Sequence, residues 1–199
     1  MMTASIGLEQ DETFSTHDKS RPHQWIPDEI RFGVRVFSLG LALVAQSSRG
    51  ICAVLLGDDA GVLRSDLAGR FPGAVFVDGG EELDTIAAKV VALIESPSGV
   101  LDEPLDLRGS EFQRRVWHAL RQIPAGSTAS YTDIAERLGM PAAARAVARA
   151  CAANPLAVVV PCHRVVTKDG KLSGYRWGVD RKRLLLEREA VAEADPEAD

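Results

Sequence analysis

Cys162 is the residue in this chain best placed to do chemistry. It follows Pro161 and the run Val158-Val159-Val160, which reads as a short buried strand, and it precedes His163 and Arg164. A thiol at the exit of a rigid strand is held in place. Cysteine attacks as the thiolate, so it needs a lowered pKa or a neighbouring base, and His163 with Arg164 could provide either. Neighbours in sequence point in different directions, so His163 is expected to reach the thiol through a water molecule rather than by contact. On its own a Cys-His pair is weak evidence, because a buried cysteine is more often inert packing. The other two cysteines, Cys52 and Cys151, read as core residues. Three cysteines without CxxC or Cys/His ligand spacing argue against a disulfide framework and a zinc site, and free thiols point to a reducing cytoplasm.

The elements that must position this thiol divide into two groups. Residues 1–29 show no hydrophobic period and read as a disordered leader. From residue 31 onward, alternating Phe32, Val34 and Val36 and the apolar runs Leu41–Gln46 and Ile51–Leu56 predict an antiparallel meander. A short helix around Val62–Ala68 and a strand at Ala74–Val77 follow. Leu83, Ile86, Ala87, Val90, Val91 and Ile94 recur at helical spacing. Sheet plus helices gives an N-terminal α/β (α+β) domain over 30–103, ended by the Pro- and Gly-containing linker Ser96–Pro104.

A mostly helical domain is expected over 104–191, with an acidic tail at 192–199. Phe112, Val116, Leu120 and Ile123 share one helix face, which Pro124 and Gly126 terminate. Ser130 with Asp133 can cap a helix over 131–138, Gly139 ends it, and Pro141 opens a second helix running through Ala153. Two short helices in this arrangement read as a helix-turn-helix. Arg145 and Arg149 lie four residues apart on one face of the second, among eight alanines that keep it thin.

The formal net charge of −5 hides an uneven distribution. Residues 1–107 carry net −9, residues 108–183 net +9 and residues 184–199 net −5. A basic block of this size either solvates helix surfaces or attracts a polyanion.

Several segments resemble the O6-alkylguanine-DNA alkyltransferase family, also called the methylated-DNA–protein-cysteine methyltransferases, in order and spacing. They are Phe112-Gln-Arg-Arg-Val116-Trp117, Ile123-Pro124-Ala-Gly126, Ser130-Tyr131, Arg145-Ala-Val-Ala148, Ala152-Ala-Asn154, Pro161-Cys-His-Arg-Val165 and Ser173-Gly-Tyr-Arg-Trp-Gly178. With Arg49–Gly57 the likeness covers roughly residues 31–190.

The resemblance implies a ribonuclease H-like N-terminal domain and a winged helix-turn-helix-like C-terminal domain. It also implies single-turnover repair of O6-methylguanine in double-stranded DNA by a monomer that needs no cofactor, metal, membrane or obligate protein partner. O4-methylthymine and bulkier alkyl groups remain open as substrates. By the same resemblance Cys162 is the methyl acceptor, His163 draws its proton through water, Glu189 holds the histidine, and Asn154 braces the active-site loop; an Asn C-cap of the second helix is the other reading of Asn154, and both could hold at once. Tyr131 assists base rotation and donates to the departing guanine, and Arg145 enters the base stack. The carbonyls of Cys162 and Val165 accept from the exocyclic amine, and the backbone N–H of Arg176 serves where some members carry Ser. Ser130 and Arg149 complete the DNA-facing set. No four-cysteine zinc module precedes residue 31, so phosphotriester repair and switched gene activation are not expected. A non-catalytic lesion binder would lack the thiol, and a plain helix-turn-helix regulator would not explain Pro161-Cys-His-Arg.

Overall fold

The computed structural model describes residues 28–97, 99 and 101–194. The meander forms as its alternation requires: β1 (Glu29–Phe37), β2 (Gly40–Ser47) and β3 (Gly50–Gly57) pair antiparallel. After helix α1 (Ala60–Arg70), β4 (Val75–Asp78) adds to β1 in parallel, giving the order β3-β2-β1-β4. Helix α2 (Gly80–Glu95) buries Leu83, Ile86, Ala87, Val90 and Ile94, the spacing that one helical stripe provides. Most of the expected leader lies outside the described residues. Its last two positions are structured, since Glu29 opens β1 and Asp28 pairs with Arg108.

The outer edge of β3 is the feature that matters for the site, because it is covered by two segments from later in the chain. Ile51 N donates to Pro104 O at 2.8 Å and Asp106 N to Ile51 O at 2.9 Å; further along, Val54 N donates to Pro155 O at 2.8 Å and Ala157 N to Val54 O at 2.9 Å. An exposed strand edge is a row of unpaired donors and acceptors, and here both segments satisfy it. Gly50 makes the first approach possible: at φ +130° a Cβ would stand 2.1 Å from Pro104 O.

The second half is mostly helical. Capping boxes start α3 (Glu111–Leu120), from Ser110 and Gln113, and α4 (Tyr131–Arg137), from Ser130 and Asp133. Gly139 at φ +72° stops α4. The second helix of the pair starts later than the sequence suggests. Pro141–Ala143 form a 3-10 turn, and α5 runs Ala144–Ala152 without a side-chain cap. Val116, Trp117, Leu120, Ile134, Ala135, Val147 and Ala150 pack these helices together, and Trp117 Nε1 donates to Ala150 O at 2.9 Å. β5 (Ala129–Ser130) pairs in parallel with β6 (Val165–Val166), and α6 (Val179–Ala194) closes the described chain. The architecture is α/β, as expected. Among the described residues no helix is long and apolar enough to cross a membrane.

One expected element is absent. Val158–Val160 form a turn rather than a strand, and Val158 has φ +64°. Three β-branched residues favour extended backbone, so tertiary contacts must impose the turn. A non-glycine residue in this region costs roughly 1–3 kcal/mol.

Candidate active site

One buried amide supplies several of the contacts that impose the turn. Asn154, fully buried, accepts from Leu156 N at Oδ1 (2.9 Å), while its Nδ2 lies 3.2 Å from Leu156 O, 2.8 Å from Val160 O and 3.2 Å from Cys162 Sγ. It therefore fastens both ends of the 154–162 turn and presents a donor to the thiol. The C-cap of α5 is Ala153, and Asn154 has no positive φ, so the bracing role describes it and the helix-cap alternative does not. The β3 contacts at Pro155 and Ala157 hold the same turn from outside.

Cys162 and His163 sit in a 3-10 turn (Cys162–Arg164), both buried. Burial pushes the Cys162 thiol up to about 11, against the pull of the Asn154 hydrogen bond and the Lys182 ammonium. At neutral pH the sulfur therefore holds its proton until a base removes it. His163 Nε2 lies 2.7 Å from Glu189 Oε1. Burial lowers the imidazole below its ordinary value, and the Glu189 carboxylate only partly offsets this, so the ring is a neutral base. An ionised carboxylate can only accept, which puts the hydrogen on Nε2 and leaves Nδ1 as the lone-pair nitrogen. Nδ1 is buried and has no hydrogen-bond partner among the described residues.

Glu189 comes from α6, twenty-six residues away from His163. Burial alone would raise its carboxyl, but hydrogen bonds from His163 and Arg164 outweigh that and lower it. Arg164 grips both oxygens at 2.9–3.0 Å and also donates to Ile123 O at 2.6 Å. It thus serves the carboxylate and not the thiol, contrary to one of the two roles its sequence position suggested.

The thiol lies at the wall of a cleft of about 390 Å³, lined by Tyr131, Cys151, Cys162, Gly174, Tyr175 and Arg176 among others. This falls within the range of small-ligand pockets. Tyr131 is half-buried, with its hydroxyl 2.6 Å from Ser173 Oγ. Cys151 is buried, and burial pushes its thiol far up; Cys52 is pushed up to about 12 for the same reason. Among the described residues no group of three His, Cys, Asp or Glu side chains could hold a metal.

The comparisons with known proteins point one way. Residues 111–191 match the family model described as 6-O-methylguanine DNA methyltransferase, DNA binding domain. The inducible methylated-DNA–protein-cysteine methyltransferase of Bacillus subtilis is 43% identical over 126 residues, 63% of this chain and 70% of that protein. The chain belongs to this family. It is also 48% identical over 191 residues to the bifunctional transcriptional activator/DNA repair enzyme Ada of Escherichia coli, covering 96% of this chain. It spans about half of that protein, 54% of its length. Among solved structures, Mycobacterium tuberculosis OGT in complex with DNA superposes with TM-score 0.65 at 34% identity, over 82% of this chain and 93% of that one.

In this methyltransferase-family chain the structure brings Cys162, His163, Glu189 and Asn154 together, with Tyr131 and Val165 beside them. Other candidates fall elsewhere. The Ser130 hydroxyl is buried as the cap of α4, accepting from Asp133 N at 3.1 Å, so it shapes the helix start and is not open to DNA. Arg176 turns its side chain to Asp66 of α1, at 2.7 Å, which leaves only its backbone for a base. Arg145 and Arg149 are exposed on α5 and, among the described residues, join no ion pair. The Val165 carbonyl already accepts from Lys182 Nζ, and the Cys162 carbonyl from Val165 N, which leaves each one lone pair. Sequence reasoning missed Lys182 and Ser173. The signal for Lys182 was a lysine at position 182 in line with Leu185 and Glu189 on the inward stripe of α6.

Proposed function

We propose that this chain repairs O6-methylguanine in DNA by moving the methyl group to Cys162 Sγ, once and irreversibly. The observation that carries the reading is the Asn154–Cys162–His163–Glu189 cluster at the wall of a base-sized cleft. A methyl carbon on O6 sits at the edge of a stacked base. In-line attack needs sulfur within about 3–3.5 Å with the leaving oxygen opposite, so the nucleotide must leave the stack. Arg145, exposed and unpaired, would fill the gap, and Tyr131 at the cleft would meet the extruded guanine.

In the transfer step the Sγ–C bond forms as the C–O6 bond breaks. The thiol proton passes through a bridging water to His163 Nδ1, the imidazolium is held by Glu189, and the bond's electron pair goes to the guanine, which takes a proton in return. Donors at O6 or N3 stabilise the departing anion. The product is a thioether, and no residue in the cluster can cleave it, so turnover is one. Double-stranded DNA as partner agrees with the DNA complex of the M. tuberculosis relative, and free buried thiols suit a reducing, cytoplasmic setting.

The test is incubation with a duplex carrying one radiolabelled O6-methylguanine, followed by peptide mapping. About one label per chain on the peptide holding Cys162, with none on Cys162→Ala, is the expected result. A wild-type chain that binds the lesion and takes no label would make it a damage sensor instead.

A further inference from the structure

Lys182 lies on α6 with no exposed surface and, among the described residues, no carboxylate partner. Burying an ammonium without a counter-ion is expensive, so its contacts should explain it. It has two. Nζ donates to Val165 O, and it lies 3.4 Å from Ser173 Oγ, a longer contact. Ser173 Oγ is in turn 2.6 Å from the Tyr131 hydroxyl. The three side chains form a line from the buried ammonium to the wall of the cleft.

The chemistry of the groups allows one direction along that line that would serve a leaving group. An ammonium donates and cannot accept, so the Ser173 oxygen receives from it. The 2.6 Å contact between Ser173 and Tyr131 can run either way; in one of its two directions Ser173 donates its hydroxyl hydrogen and the Tyr131 oxygen accepts. A phenol oxygen that is already accepting has its own hydrogen left for another partner, and Tyr131 lines the cleft. We propose that Lys182 and Ser173 are positioning residues that fix Tyr131 as a hydrogen-bond donor toward the leaving guanine. This rests on the repair reading above and adds to it the part of the site that serves the leaving group, opposite the part that activates sulfur. Were Ser173 absent, the Tyr131 hydroxyl could turn to accept or donate elsewhere, and the guanine would depart with a less well-oriented donor.

Substituting Lys182 risks the fold, because it would strip Val165 O of its partner, so Ser173 carries the test. Single-turnover methyl transfer from an O6-methylguanine duplex is measured for wild type, Ser173→Ala, Ser173→Thr, Tyr131→Phe and the Ser173→Ala/Tyr131→Phe double variant, with affinity for unmethylated duplex measured alongside. Ser173→Ala should slow transfer about tenfold, the scale of one hydrogen bond, with duplex affinity unchanged. Ser173→Thr, which keeps the hydroxyl, should restore the rate to within about twofold. In the Tyr131→Phe background Ser173→Ala should cost nothing more, because the two act as a unit. Equal slowing with and without the Tyr131 hydroxyl would make Ser173 merely structural and overturn the proposal, as would an unchanged rate in Ser173→Ala. If wild type itself transfers no methyl, the repair reading fails first and this one with it; if wild type transfers normally, only this inference is at stake.

Discussion

At Cys162 burial keeps the proposed methyl acceptor protonated at rest. Burial holds the thiol at about 11 and keeps His163 neutral, so across neutral pH the resting pair is thiol plus imidazole. This arrangement fixes the pH dependence. His163 is a base whose folded pKa lies below its unfolded value near 6.5. Between those two values the unfolded chain binds the extra proton, so stability is complete above 6.5 and is lost as pH falls toward the folded value. Glu189, lowered from 4.5, adds a second loss with the same sign, present above 4.5 and lost as pH falls through its folded value. The rate of methyl transfer should therefore stay level from pH 8 to 6.5 and decline only in more acid solution, where the melting temperature declines with it. Single-turnover rates and thermal melts over pH 8 to 4.5 check this. A rate already halved between pH 8 and 7 would mean an imidazole raised by Glu189 and not lowered by burial.

At the level of elements, the site depends on how α6 docks. Two arginine–glutamate pairs involving this helix show the range of what such pairs contribute. Arg164 holds the buried Glu189 with bidentate geometry, its side chain 13% exposed against 2% for the carboxylate; Arg183 meets Glu187 one turn along, at 49% and 56%. Breaking a buried pair leaves an uncompensated charge, so Arg164→Met should lower unfolding free energy by about 3–5 kcal/mol. Arg183→Met should change it by less than about 0.5 kcal/mol. Urea titrations of both variants read the difference directly, and a mild effect at Arg164 would show that Glu189 finds other partners. These long-range contacts also mark where sequence reading stopped. The meander, the capping box at Ser130 and the meeting of Cys162, His163, Glu189 and Asn154 were legible, because they rest on local patterns or on segments that resemble the family. The turn at Val158, the grip of Arg164 on Glu189, the Arg176–Asp66 pair and the buried Lys182 were not. The last three join residues whose partners are distant in sequence; at Val158–Val160 local β propensity pointed to the wrong structure, because the Asn154 amide and the β3 edge override it.

For the whole molecule, the division of charge between an acidic first half and a basic second half has two uses. Part of it joins the halves. Arg108 pairs with Asp28 and Asp106, Arg176 with Asp66, and Arg181 with Asp58, each linking the basic segment to carboxylates from earlier in the chain. Positive charge held this way is already neutralised and adds little to the attraction of phosphates. On the proposed repair reading, what would remain for DNA is the exposed set without ion pairs among the described residues, of which Arg145 and Arg149 lie on the thin face of α5. Counting basic residues therefore overstates the DNA-binding charge, and the two kinds of arginine should separate in salt titrations. A phosphate contact contributes roughly 0.9 to the slope of log affinity against log salt. Arg149→Ala should lower that slope by about one such step, whereas Arg176→Ala, which removes the same formal charge, should leave it unchanged. Affinity for an unmethylated duplex measured from 50 to 200 mM salt distinguishes them. A reduced slope for Arg176→Ala would mean that Arg176 leaves Asp66 on binding DNA, making the clasp between the halves a contact exchanged for phosphate.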